Sequence, residues 1–122
     1  MKLLVLLGAL AFSSGVLAEW IEFSTRSNGD VHYYDNARVE RDGNGVNVWT
    51  RIRYKTSVMA ASSYQNHLRL DCSENSEMVL QSTFFTDKDW AKPAMATNKN
   101  AKPKTNVKKG SATEQLISIL CE

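Results

Sequence analysis

The sequence predicts an α+β domain: an antiparallel β-sheet meander with one C-terminal α-helix packed on one face and tied there by a disulfide. Three features carry that expectation. Through the first two-thirds of the chain, apolar and polar residues alternate in short runs separated by turn signals. At the end, a capped apolar stripe falls at helical spacing. The two cysteines, Cys72 and Cys121, both follow an export signal, and in an oxidising compartment they pair by default.

That signal is "MKLLVLLGALAFSSGVLA". Lys2 precedes an apolar run from Leu3 to Phe12, and Val16-Leu17-Ala18 offers a cleavage site after Ala18. A spanning helix needs about 20 apolar residues, and this run breaks at Ser13-Ser14-Gly15. Residues 1–18 are therefore the expected signal peptide and 19–122 a single domain. No cysteine follows the cut, so the sequence offers no thiol for a lipid anchor. The expected location is the periplasm or the extracellular space. Of 15 Lys and Arg only Lys2 leaves with the signal, against 13 Asp and Glu, so the mature formal charge is +1. The balance is uneven, because residues 91–110 hold six lysines and no acid.

"WIEFSTR" (20–26) reads as the first strand and Ser27-Asn28-Gly29-Asp30 as a hairpin turn, since Asn-Gly tolerates positive φ. "VHYYD" (31–35) returns, "NARVER" (36–41) continues the meander, and Asp42-Gly43-Asn44-Gly45 turns again. "VNVWTRIRYKT" (46–56) is the longest strand. "SVMAASS" (57–63) fits either a helical turn or a loop. "YQNHLRLDC" (64–72) and "EMVLQSTFF" (77–85) are two further strands, joined by residues 73–76. Residues 91–110 contain both prolines and show no periodicity, which reads as a flexible loop; as a coil it would span about 25 Å. Ser111 and Glu114 then form a capping box, with Leu116, Ile117, Leu120 and Cys121 along one stripe.

Side chains alternate across a strand, so Tyr64, Leu68, Leu70 and Cys72 share one face. A Cys72–Cys121 bond, with Cα atoms about 5.5 Å apart, seats the helix on that face. Closing a loop of this length stabilises by about 4 kcal/mol in the chain-entropy treatment. Val46, Val48, Ile52 and Tyr54 join the covered side by their apolarity. Trp49, Arg51, Arg53, Lys55, His67 and Arg69 are then left on the open side. Two alignments of the strands fit: Arg51 opposite Arg69, or Arg51 opposite Asp71 with Arg53 opposite Arg69. The open side is either a solvated surface whose arginines stack on Trp49 or a recognition patch, since Trp and Arg dominate interface hot spots. Lys102, Lys104, Lys108 and Lys109, with Lys92 and Lys99, extend the candidate binding set or serve as a solubilising tether.

Catalysis is not expected. His32 and His67 belong to no HExxH or nucleophile signature, and Asp87 and Asp89 fall short of a calcium loop. No cofactor or metal follows from any spacing in the chain.

The elements Trp20, "YYDNARVERDGNGVNVWTRIRY" (33–54), "LRLDC" (68–72), Trp90 and "GSATEQLISILC" (110–121) together resemble the surface-adhesin protein E family of bacterial envelope proteins. The resemblance implies an antiparallel sheet with one disulfide-tethered helix. It further implies binding of host-matrix proteins such as vitronectin, laminin and plasminogen, and a homodimer. Two features depart from the family pattern. Members carry a lipid anchor, whereas this chain has no cysteine at its cut site; and the Lys-rich insertion before Ser111 is longer than the family pattern, with Gly110 where a proline often precedes the serine. The functional expectation is a non-enzymatic, adhesin-like module of the bacterial cell envelope. Its partner would be a host-matrix or envelope protein or an acidic polysaccharide, with no specific nucleic acid. The alternatives are a periplasmic inhibitor, for example of lysozyme, inserting the loop at 57–63 or 73–76, and a structural accessory subunit.

Overall fold

A computed structural model describes residues 17–121. The stretch read as a signal peptide lies outside the described residues apart from Leu17 and Ala18. In chain order the elements are β1 (Trp20–Thr25), β2 (Val31–Asp35), a 3₁₀ turn (Asn36–Arg38), β3 (Glu40–Asp42) and β4 (Gly45–Val58). There follow β5 (Ala61–Asp71), β6 (Ser76–Phe85), β7 (Ala96–Asn98), β8 (Thr105–Asn106) and α1 (Ala112–Leu120). They form one antiparallel sheet in the order β1-β2-β4-β5-β6-β7, with β3 also on β4 and β8 also on β6.

The predicted alternation sorts the two faces. Val46, Val48, Leu68 and Leu70 are buried against Leu116 and Leu120 of α1, with Tyr34 in the same cluster. Val48, Leu70 and Leu116 are each 0% exposed. Cys72 and Cys121 form the expected disulfide, their Cα atoms 5.5 Å apart. At 9 residues, α1 is about 13 Å long. The 14 residues of β4 extend about 45 Å, so the helix covers only part of the sheet. Beyond it the same face carries a row of tilted rings in contact, Tyr54 with Tyr64 and Tyr64 with Phe84 (centroids 5.3 and 5.4 Å apart).

The first hairpin turns as expected, closed by the Arg26 amide on the Asp30 carbonyl (2.8 Å) with Gly29 at φ +95°. The helix cap differs in one detail from the expected box. Ser111 Oγ accepts from the Glu114 amide (3.2 Å), but Glu114 reaches back to the amide of Gly110, not of Ser111 (2.9 Å).

Residues 57–63 are neither helical turn nor loop. The strands run on through them to a two-residue turn at Met59 and Ala60, whose φ values are +50° and +70°. This tight turn and an irregularity between Arg53 and Val58 set the β4–β5 register. Neither expected alignment occurs: Trp49 faces His67, Arg51 faces Gln65, Arg53 faces Ser63 and Asn47 faces Arg69. The Lys-rich stretch is not featureless either. β7 and β8 lie within it and lace it to the edge of β6, and Val107 is buried. Additional bonds run from the Met95, Lys102 and Val107 amides to the carbonyls of Phe84, Val79 and Asn75.

Candidate functional site

The odd-numbered residues of β4 and β5 meet on the face opposite α1, and the register brings them together in rows. Trp49 and His67 are directly opposite and stack, with centroids 4.2 Å apart and planes 4° from parallel. The Arg38 guanidinium lies 5.7 Å from the Trp49 ring. Arg38 is itself held by Asp35, which is 0% exposed and also accepts from the amides of Glu19 (2.8 Å) and Ala37 (3.0 Å). Burial opposes the Asp35 charge, but the Glu19 amide, the Arg38 guanidinium and the Ala37 amide outweigh it and hold its pKa below the usual carboxylate value. His67 titrates below its ordinary range, chiefly because burial penalises the imidazolium; Glu40 pulls it up and Arg38 down.

The next row is built on Arg51. Its guanidinium lies between two indoles, 4.2 Å from Trp20 and 4.7 Å from Trp90, while its Nε donates to Gln65 Oε1 (3.0 Å). Burial, and secondarily Arg38, depress its pKa, with Asp35 opposing. Arg53 follows two residues on, 5.5 Å from Trp90 and 5.7 Å from Tyr33. It donates to the Lys88 carbonyl (3.1 Å) and pairs with Asp89 (3.2 Å). Trp90 reaches this position only by taking φ +56°, a conformation costly for a bulky residue. Three contacts hold it there: its indole N–H donates to the Tyr64 carbonyl (3.3 Å), its ring meets Tyr33 edge-on, and Asp87 accepts from the following amide of Ala91 (3.0 Å).

The other candidates lie around this cluster. Arg69 donates to Asn47 Oδ1 (3.1 Å) and packs over Gly45; a Cβ there would sit 2.2 Å from its guanidinium and displace it. Lys104 pairs with Glu74 (2.7 Å) and shares a shallow cavity of about 200 Å³ with Arg69 and Met78. Lys55 folds along Gly29 of the first hairpin. Lys102 is exposed on the strap over β6, and Lys108 and Lys109 lead into α1, on the far side from Trp49. Sequence reasoning missed Trp20, Trp90, Arg38, Tyr33 and Gln65. Trp20 and Tyr33 had the signal of strand parity; Trp90 and Arg38 sit in turns and had none. Among the described residues, no three His, Cys, Asp or Glu side chains come together to hold a metal ion.

Each central guanidinium thus lies over aromatic rings; Arg51 spends its Nε on Gln65, and Arg53 its Nε and one Nη on the Lys88 carbonyl and Asp89, which leaves their remaining N–H groups for an incoming acceptor. The arrangement suits bidentate recognition of carboxylate, sulfate or phosphate groups.

The model of the surface-adhesin protein E family matches residues 20–122. The chain belongs to this family. Its fold is similar to crystal form II of Haemophilus influenzae protein E, at a TM-score of 0.68 and 14% identity, covering 88% of this chain and 90% of that one. A second structure of Haemophilus influenzae protein E aligns at 0.65 and 15% identity, covering 88% and 86%. Protein E from non-typeable Haemophilus influenzae aligns at 0.64 and 14% identity, covering 88% and 78%. At these identities the likeness establishes the fold. No curated protein sequence matches the chain. No helix among the described residues is long and apolar enough to cross a membrane.

Proposed function

We propose that this member of the surface-adhesin protein E family is an exported, non-enzymatic binding module whose open sheet face engages acidic groups of a host-matrix or envelope partner. The observation that carries the reading is Arg51, fixed between Trp20 and Trp90 with Arg53 beside it. Two guanidiniums two residues apart on one strand face stand about 7 Å apart along it, a spacing that suits consecutive acidic groups on a polymer or an acidic peptide. Ring stacking holds both side chains in place, which lowers the ordering entropy lost on binding. Arg69 and Lys104 extend the patch toward one end, and the strap lysines add long-range attraction that salt screens.

The test is retention of residues 19–122 on immobilised heparin across a salt series, beside Arg51→Ala with Arg53→Ala. The expected result is binding at low salt, elution as salt rises, and earlier elution of the double variant. No retention at low salt, or identical elution of both proteins, sinks the reading.

One observation favours a second reading, insertion of a loop into an enzyme cleft. The β4–β5 hairpin ends in a projecting apolar tip, with Met59 92% exposed beside Val58. An inhibition assay against lysozymes with Met59→Asp separates it from adhesion.

A further inference from the structure

A cavity of about 380 Å³ lies on the opposite side of the sheet, where the N-terminal turn of α1 stands over β1, β2, β4, β5 and β6. Its walls are apolar and partly aromatic: Phe23, Ile52, Tyr64, Leu68, Val79 and Leu116. Its lip is Ser111-Ala112-Thr113, side chains too short to fill the space below them.

Two irregularities of the sheet shape this hollow. Between Glu22 and Ser24 the β1–β2 register slips, and Phe23 is the extra residue that turns its ring toward His32 and Tyr34, each 5.9 Å away. Between His67 and Leu68 the β5–β6 register slips, and Val79, the first residue beyond the slip, lines the cavity. Bulges of this kind re-aim side chains and recur beside binding sites.

The polar groups in the lining are unequal. Arg26 is already engaged by Ser24 Oγ (3.1 Å), the Gly110 carbonyl (2.6 Å) and Gln115 Oε1 (3.3 Å). Glu77 accepts from Thr113 Oγ1 (3.1 Å). Asn66 is different: it is 7% exposed, it lines the cavity, and its Oδ1 has no hydrogen-bond partner among the described residues. Oδ1 is enclosed in this rotamer, and a buried acceptor without a donor is costly, so the site favours a guest whose N–H or O–H meets it as the Asn66 amide turns into the cavity. The charges of Arg26 and Glu77 oppose each other, which selects against a strongly charged guest. His32 adds none at neutral pH, because burial and then Arg26 lower its pKa to about 4 against the pull of Asp30.

We infer that this cavity is a second binding site, distinct from the open face, for a small uncharged aromatic molecule that gives a single N–H or O–H hydrogen bond to Asn66. The volume sits at the small end of ligand pockets and suits a one- or two-ring compound. This inference is independent of the proposed role of the Trp–Arg face, since the two sets of side chains lie on opposite faces of the sheet and only the Tyr64 backbone carbonyl touches the other.

Amide-resolved NMR titrations of residues 19–122 with indole and with 1-methylindole test it, because in the second a methyl group replaces the N–H hydrogen. Indole is expected to shift the amides of Asn66, Phe23 and Leu116 saturably, and to bind about fivefold to tenfold more tightly than 1-methylindole. In Asn66→Leu that preference is expected to vanish while 1-methylindole still binds. In Ala112→Leu, which narrows the lip without touching a polar group, both affinities are expected to fall. Absence of saturable shifts with either compound, equal affinities in the unsubstituted chain, or shifts confined to the Trp49 and Arg51 rows would each overturn the inference. The comparison within the unsubstituted chain decides the matter even if Asn66→Leu fails to fold.

Discussion

Four consecutive residues of β5 sample both sides of the sheet. Leu68 and Leu70 enter the core under α1, whereas their neighbours His67 and Arg69 meet side chains of the sheet and its turns. Covering the first side requires an element from the far end of the chain, bonded across 49 residues. The second side covers itself, ring against guanidinium. Apolar burial is worth about 25 cal/mol per Å², while an exposed cation–π contact adds about 0.5–1 kcal/mol. Stability therefore resides mostly on the helix side, and the opposite side is free to be shaped for recognition.

The largest expected break in this contrast comes from removing the covalent tie. Cys72→Ser with Cys121→Ser should cost about 4 kcal/mol and lower Tm by at least about 15 °C, read by thermal unfolding in circular dichroism. An unchanged Tm would mean that α1 is held by packing alone.

A histidine on each side allows a finer comparison. The folded-state pKa of His32, on the helix side, is lowered from 6.5 to about 4, so the unfolded chain takes up the proton first. The stability linked to it is complete above about pH 6.5 and falls as pH drops toward 4, by at most about 3 kcal/mol. His67 on the open side is shifted the same way. Asp35 stays ionised in this window, because its pKa lies below the ordinary 3.8; its own contribution is lost only at more acidic pH. Urea denaturation between pH 7 and 4 should show a slope that His32→Gln largely removes and His67→Gln trims less. Equal effects of the two substitutions would erase the distinction between the faces.

The smallest effect on stability should come from the Trp–Arg face itself. Arg51→Lys keeps the charge but loses the planar stack, and should cost about 1 kcal/mol in urea denaturation. A loss of several kcal/mol would make this cluster a structural core and weaken its candidacy as a binding face.

Much of this arrangement was legible beforehand. Strand parity separated Val48 and Leu70 from Trp49 and Arg69, Ser111 marked the helix start, and Cys72 fixed which face α1 would cover. The register was not legible. Parity cannot distinguish shifts of two residues, and the deciding turn places Met59 and Ala60 where Asn-Gly would have announced it. The indole of Trp90 was equally hidden, because it is aimed by a left-handed backbone in a turn and not by any period. The cavity at Asn66 depends on two bulges, and single-residue slips leave no trace in an alternating pattern.

The lysine-bearing strap along β6 has a consequence for association. With β7 and β8 laid over one margin, and lysines discouraging a further neighbour, β1 is the one long margin that no described strand occupies. A strand seeking backbone partners along this sheet is therefore steered to β1 and away from the strap.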